Sequence, residues 1–141
     1  MTDKRYYTSI ELIKIATEHA YSAEYLLQEC DKTPFEPLTS VISLLYMAFE
    51  LTFKAYLLHV HKKNSQHKNL IELLEAALDL GLSNEEMSQL KKLSRHYAFR
   101  KGVEYFLWED RQECQIFCSE LMSLYERLQE MMPVELQKDY Q

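Results

Sequence analysis

Basic side chains are concentrated in two stretches of the sequence that contain no acidic residue. The stretch 51–71 has a formal charge of +4, and the stretch 87–103 has a formal charge of +5. Because the net charge of the whole chain is −6, the remaining residues together carry −15. The cations that produce this segregation are Lys54, Lys62, Lys63, Lys68, Lys91, Lys92, Arg95, Arg100 and Lys101.

Clustered cations of this kind can bind a phosphate group. Short connections predict antiparallel neighbouring helices, which would bring the end of the second helix, the start of the third and the end of the fourth together. The free N–H groups at a helix start would add to such a site. Tyr97 and Tyr105 flank Arg95 and Arg100, an alternation that can stack bases. As an alternative to a phosphate site, the cations could simply be favoured at helix ends by the helix dipole. As an alternative to base stacking, the tyrosines could pack into the core.

The other reactive side chains do not combine into a catalytic or metal site. His59 and His61 lie about 200° apart around a helix, so they face different ways. Cys114 and Cys118 could share one face, but no further cysteine or paired histidine completes a set of four ligands. With 2 glycines in the chain, a glycine-rich phosphate loop is not possible. We therefore predict no catalytic residue, no metal and no cofactor.

Composition and periodicity predict helices along the whole chain. It is 47% hydrophobic and 27% charged with 2 Gly and 3 Pro, which is too apolar for disorder and too poor in turn formers for many strands. The pairs Thr8 with Glu11 and Ser83 with Glu86 match capping boxes at two helix starts. Five helices are predicted. The first runs from after Thr8 to Cys30, the second from near Val41 to near Val60, and the third from Asn69 or His67 to Gly81. The fourth runs from after Ser83 to near Arg100, and the fifth from after Asp110 to Pro133.

These helices predict an all-α fold, an up-and-down antiparallel bundle of four to five helices in a single domain over residues 1–141. The most apolar stretch, 41–60, is interrupted by Glu50 and Lys54. Each would cost roughly 3 kcal/mol at the middle of a bilayer, so we expect a buried core helix and no membrane contact. The first residues do not form a secretory signal, and three cysteines do not suggest a disulfide framework. A cytoplasmic location is expected.

Three motifs resemble the HEPN family (higher eukaryotes and prokaryotes nucleotide-binding). They are Ala48–Leu57 (AFELTFKAYL), Lys68–Leu74 (KNLIELL) and Tyr97–Gly102 (YAFRKG), and their order and spacing cover most of the chain. The resemblance implies four or five antiparallel helices, often dimeric, that partner a small nucleotidyltransferase or act as a metal-independent ribonuclease. It also implies that Arg100 and the pair Glu50 and Lys54 face the ligand cleft, although this pair could equally be a local ion pair.

The sequence departs from the family pattern in two places. Ribonucleases of the family carry an arginine followed after roughly four to six residues by a histidine that moves protons. Here His96 directly follows Arg95, and no histidine follows Arg100. Many relatives also have a histidine where Lys68 stands, whereas this chain has it one place earlier. The missing arginine and histidine pair predicts that the protein is not an enzyme, and the second departure means that the family's histidine role does not carry over to His67.

We therefore predict a non-catalytic HEPN-like module that binds a nucleotide or an RNA phosphate at its basic end. A homodimer and a nucleotidyltransferase partner are expected. One alternative is an interaction or dimerisation module without a small-molecule ligand, and another is an atypical ribonuclease built around Arg95, His96, Arg100 and Tyr105. The predicted ligand-binding residues are Arg100, Lys101, Arg95, Lys54, Glu50, Tyr97, Tyr105, Lys62, Lys63 and Lys68.

Overall fold

The computed structural model describes residues 7–30, 38–63, 69–99 and 111–137. Within these ranges the chain is helical and contains no strand, which confirms the all-α prediction. The helices are α1 (Ser9–Glu29), α2 (Leu38–His61), α3 (Leu70–Ala76), α4 (Asn84–Phe99) and α5 (Arg111–Met131), with short 3₁₀ turns at Leu78–Leu80 and Val134–Leu136.

Both predicted capping boxes are present. At the start of α1 the Thr8 N–H donates to the Glu11 carboxylate (2.9 Å) and the Glu11 N–H donates to the Thr8 hydroxyl (3.1 Å). At the start of α4 the same pair of bonds joins Ser83 and Glu86, at 2.9 and 3.0 Å. Asn69, one of the two predicted openings of α3, accepts the Glu72 N–H at 2.9 Å. Side chains therefore satisfy N–H groups that a helix start leaves without an intrahelical partner.

Two residues with positive φ mark changes of chain direction. Gly81 ends the 3₁₀ turn after α3 in the left-handed conformation, with φ of 81°, as the sequence predicts. Lys62 follows α2 with φ of 57°, and the next N–H, that of Lys63, reaches back to the Leu57 carbonyl at 3.3 Å. This backward bond satisfies one of the last carbonyls of α2.

The core is centred on α2, whose large side chains Leu45, Phe49 and Phe53 are fully buried. By length and composition α2 is the one helix among the described residues that could cross a membrane. However, 61% of its most apolar window is buried inside the bundle, as expected for a core helix. The buried stripe of α1, which extends from Ile13 to Ala23, packs against the same core.

α4 and α5 are antiparallel, as predicted for consecutive helices. Along α4, Gln89 bonds to Glu120 of α5 (3.0 Å), whereas Lys92, one turn later, lies over the ring of Phe117 (4.9 Å). Residue numbers therefore rise along α4 while they fall along α5. On the other side of α5, Gln129 donates to Thr17 of α1 at 3.0 Å. Contacts with α1 and α4 thus lie on either side of α5.

α3 runs in the same direction as α2, which corrects the predicted order at this point. The Leu70 N–H, at the start of α3, donates to the Tyr46 hydroxyl in the first half of α2 (3.0 Å). Asp79, soon after α3, accepts the Tyr56 hydroxyl near the end of α2 (2.6 Å). The connection 62–69 is long enough for this reversal, because it can extend about 26 Å while the last fifteen residues of α2 rise only about 22 Å.

Candidate functional site

The polar row of α2 consists of Tyr46, Glu50 and Lys54. These residues are four apart, so they lie on one side of the helix. The Glu50 carboxylate and the Lys54 ammonium form an ion pair at 4.0 Å, and their side chains are 21% and 28% exposed. The local ion pair considered from the sequence is therefore present, and the two residues together add no net charge to this surface.

Tyr46 connects the polar row to α3 and α4. Its ring stacks on that of Tyr97 with a centroid distance of 3.9 Å and an interplanar angle of 4°. Its hydroxyl accepts the Leu70 N–H and is also hydrogen bonded to buried Ser94. Burial, and to a lesser extent the Glu50 carboxylate, raises the pKa of Tyr46. Tyr46 thus covers one face of Tyr97, which is no longer available on that face to stack a base.

The second half of α4 presents three cations. Lys91 and Arg95 are exposed and lie one turn apart, whereas Lys92 is partly buried against Phe117. Among the residues that the structure describes, neither Lys91 nor Arg95 forms an ion pair. Their charges are therefore left to solvent or to a bound anion.

His96 lies between these cations and α5. Its ring centroid is 5.9 Å from that of Phe117, and the side chain is half-buried. Burial, then the charges of Lys92 and Arg95, lower the pKa of His96 to about 4. The imidazole is therefore neutral at physiological pH, mainly because it is buried, and the smaller effects of Lys92 and Arg95 on its pKa reflect the positive charge at this part of α4.

Lys62 and Lys63 do not join the α4 cations. They lie at the end of α2, where His61 contacts Asp79 at 3.0 Å, whereas Tyr97 packs near the opposite end of α2. The predicted convergence of the ends of α2 and α4 is therefore wrong, because α3 starts beside the first half of α2 and runs in the same direction. The start of α3 lies near α4 instead. Its Leu70 and Glu72 N–H groups already donate hydrogen bonds within the protein, so they are not available to a ligand. Four predicted residues lie outside the described residues: Lys68, Arg100, Lys101 and Tyr105.

The family model for the HEPN domain matches residues 9–131, from the start of α1 to the end of α5. The chain belongs to the HEPN family. This confirms the resemblance seen in the three sequence motifs, and it agrees with the all-α bundle. No curated protein and no solved structure matches the chain.

Sequence reasoning missed two polar residues at the centre of this HEPN domain's site. Neither Tyr46 nor Ser94 is among the residues predicted from the sequence. One signal was available for Tyr46, because a tyrosine inside a strongly apolar helix needs a partner for its hydroxyl. Its position four residues before Glu50 also places it in the polar row. Nothing in the local sequence distinguishes Ser94 from an exposed serine.

The three cysteines are buried, and the histidines that the structure describes lie on three different helices. Cys30, Cys114 and Cys118 are buried thiols without a disulfide. The hydrogen bond that the Cys118 thiol makes with Cys114, together with burial, raises the pKa of Cys118, which disfavours the reactive thiolate. In the described ranges, no group of three or more His, Cys, Asp or Glu side chains could hold a metal ion.

Proposed function

We propose that this HEPN domain is a non-catalytic cytoplasmic module that binds a nucleotide or another phosphorylated ligand through the second half of α4. The observation that carries the proposal is the pair Lys91 and Arg95, which are exposed and form no ion pair among the described residues. Side chains four apart on a helix are separated by about 5–6 Å, so both can contact one phosphate group.

Two further features support an anion at this position. The depressed pKa of His96 results in part from Lys92 and Arg95, so the same positive potential would attract a phosphate. The surrounding sequence, 87–103, contains no acidic residue that could neutralise it. Arg100 and Lys101 directly follow α4 in the sequence, and we propose them as the next ligand contacts.

The proposed site is smaller than the one the sequence suggested. Glu50 and Lys54 neutralise each other, and Lys62 and Lys63 lie toward the other end of α2. Tyr97 supports the site indirectly, because its ring stacks on Tyr46 and thereby fixes the last turns of α4. The anion would therefore be held mainly by charge on one helix, which favours a weak and salt-sensitive interaction.

A non-catalytic role is supported by the arrangement around His96. The family's ribonuclease spacing of arginine and histidine does not occur at Arg95 or Arg100. His96 packs against Phe117 and is partly removed from solvent. A nucleotidyltransferase or a second copy of this chain remains the proposed protein partner.

The test is the thermal unfolding of the full chain with ATP, AMP and inorganic phosphate. A ligand at one hundred times its dissociation constant should stabilise the fold by about 2.7 kcal/mol. The double variant Lys91→Gln with Arg95→Gln should lose this stabilisation, whereas the matched control, Lys62→Gln with Lys63→Gln, should keep it. Equal responses of the two double variants would contradict a site on α4, and so would the absence of any response in the wild type.

A second candidate function is a protein interaction module. It is favoured by one specific observation, the exposed aromatic side chains Tyr21 and Tyr25 on α1. Large exposed aromatic side chains on one helix face are typical of protein interfaces.

A further inference from the structure

α1 carries a second row of large side chains on its solvent side. Ile10, Tyr21 and Tyr25 are 40%, 50% and 63% exposed, and Tyr7, just before the helix, is 49% exposed. Three of the eight exposed large hydrophobic side chains in the described part of the chain therefore belong to α1, and a fourth, Tyr7, lies two residues before it. Within the helix, Ile10, Tyr21 and Tyr25 are eleven and four residues apart, which places them along one side of α1, away from the buried stripe that begins at Ile13.

Two opposite charges occupy the middle of this row. Lys14 and Glu18 are exposed, and within the described residues neither forms an ion pair. A lysine four residues before a glutamate is the less favourable order for an ion pair within one helix. We call the row formed by Tyr7, Ile10, Lys14, Glu18, Tyr21 and Tyr25 the α1 stripe.

The α1 stripe is complementary to itself when it is reversed. A two-fold axis perpendicular to α1 at residue 16 places Lys14 opposite Glu18 of the other copy, and Glu18 opposite Lys14. The same axis places Ile10 beside Tyr21, while Tyr7 and Tyr25 meet at the two ends. We propose that the α1 stripe is the interface between two copies of this chain, with their α1 helices antiparallel. In such an interface each residue contact occurs twice.

Charge selects this arrangement over the parallel one. In a parallel pair in register, Lys14 would face Lys14 and Glu18 would face Glu18, and like charges repel. The antiparallel pair converts both repulsions into attractions and covers the exposed tyrosines. The rest of the fold leaves the row exposed: α2 lies against the buried stripe, and α5 contacts α1 at Thr17, which accepts a hydrogen bond from Gln129 beside the row.

This inference specifies the surface for the second-copy partner proposed above, and it does not depend on anion binding. Neither Lys91 nor Arg95 belongs to the α1 stripe, so each proposal can fail without the other.

The first test is sedimentation velocity of the full chain over a concentration series. The wild type should dimerise reversibly, and Lys14→Glu or Glu18→Lys should each weaken the dimer by about tenfold or more. The variant carrying both substitutions should restore it, because the opposite charges still face each other. Lys63→Glu and Glu75→Lys make the same charge changes at exposed positions outside the stripe and should leave the dimer intact.

The second test fixes the register by cross-linking. An equimolar mixture of Ile10→Cys and Tyr21→Cys proteins should form a disulfide-linked dimer with oxidised glutathione as the oxidant, whereas either protein alone should not. The native cysteines are buried and do not compete. A monomeric wild type, a dimer insensitive to the single charge reversals, a double variant without rescue, or cross-linking of either protein alone would each overturn the proposal.

Discussion

Glu86 is a carboxylate held by partners on two helices. It accepts a hydrogen bond from the Arg127 guanidinium at 3.0 Å and one from the Ser83 N–H at 2.9 Å. These contacts, with that of Arg127 the largest, lower the pKa of Glu86 from 4.5 to about 2. Because the pKa is lower in the folded state, the ionised carboxylate stabilises the fold fully above about pH 4.5, and this contribution is lost as the pH falls toward 2.

We therefore predict a pH-dependent effect of Glu86→Gln. At neutral pH the variant should have a lower free energy of unfolding than the wild type, because Arg127 loses its charged partner. The difference should shrink as the pH falls from about 4.5 to about 2, where the wild-type carboxylate becomes protonated. Urea unfolding at a series of pH values measures it. Glu85→Gln, an exposed neighbour in the same turn, serves as the control. A difference that stays constant with pH would show that the charge does not matter.

At the scale of single elements, α3 depends on its neighbours. It is seven residues long, and helices this short are not stable alone in water. Asn69 caps its start, Tyr46 accepts its first N–H, and Leu70, Leu73 and Leu74 are buried in the core. Its position beside the first half of α2 thus follows from long-range contacts.

Tyr46→Phe tests this dependence of α3 on α2. Phenylalanine keeps the ring stack on Tyr97 but removes the acceptor of the buried Leu70 N–H, which should cost about 1–3 kcal/mol. Amide hydrogen exchange should then accelerate at Leu70 and along α3, with α1 and α5 much less affected. Tyr97→Phe retains the stack and the Leu70 bond, so α3 should stay protected. Unchanged exchange at Leu70 in Tyr46→Phe would contradict the placement of α3.

The features that the sequence predicted are local ones. The capping boxes at Thr8 and Ser83 join residues three apart, and the Glu50 and Lys54 ion pair joins residues four apart. Both patterns can therefore be recognised directly in the sequence. The direction of α3 was predicted wrongly, because it depends on a hydrogen bond between Tyr46 and Leu70, which lie far apart in the sequence. That single reversal also separated Lys62 and Lys63 from the α4 cations. Contacts between distant residues, rather than helix formation, limited the prediction of the site.

On the scale of the whole molecule, positive charge remains concentrated after folding. The second half of α4 carries Lys91, Lys92 and Arg95, while α1 and α5 each contain four glutamates and are negative overall. Long-range repulsion from the net charge of −6 opposes a polyanion such as RNA, so only a short phosphorylated group near α4 is favoured locally. This combination of a negative net charge and a local positive patch on α4 favours a small ligand over an extended nucleic acid.

Together with the missing family spacing of arginine and histidine, the environment of His96 predicts that the full chain does not cleave RNA. A histidine that acts as a general acid and base is most effective when it titrates near the working pH, whereas the pKa of His96 is lowered to about 4 and its ring packs on Phe117. Labelled single-stranded RNA should stay intact during prolonged incubation with the protein, as it should with His96→Ala. Cleavage by the wild type that disappears in His96→Ala would show that His96 is catalytic and would overturn the non-catalytic proposal. Cleavage that persists equally in both proteins would instead indicate a contaminating nuclease, and ion-exchange repurification should remove it.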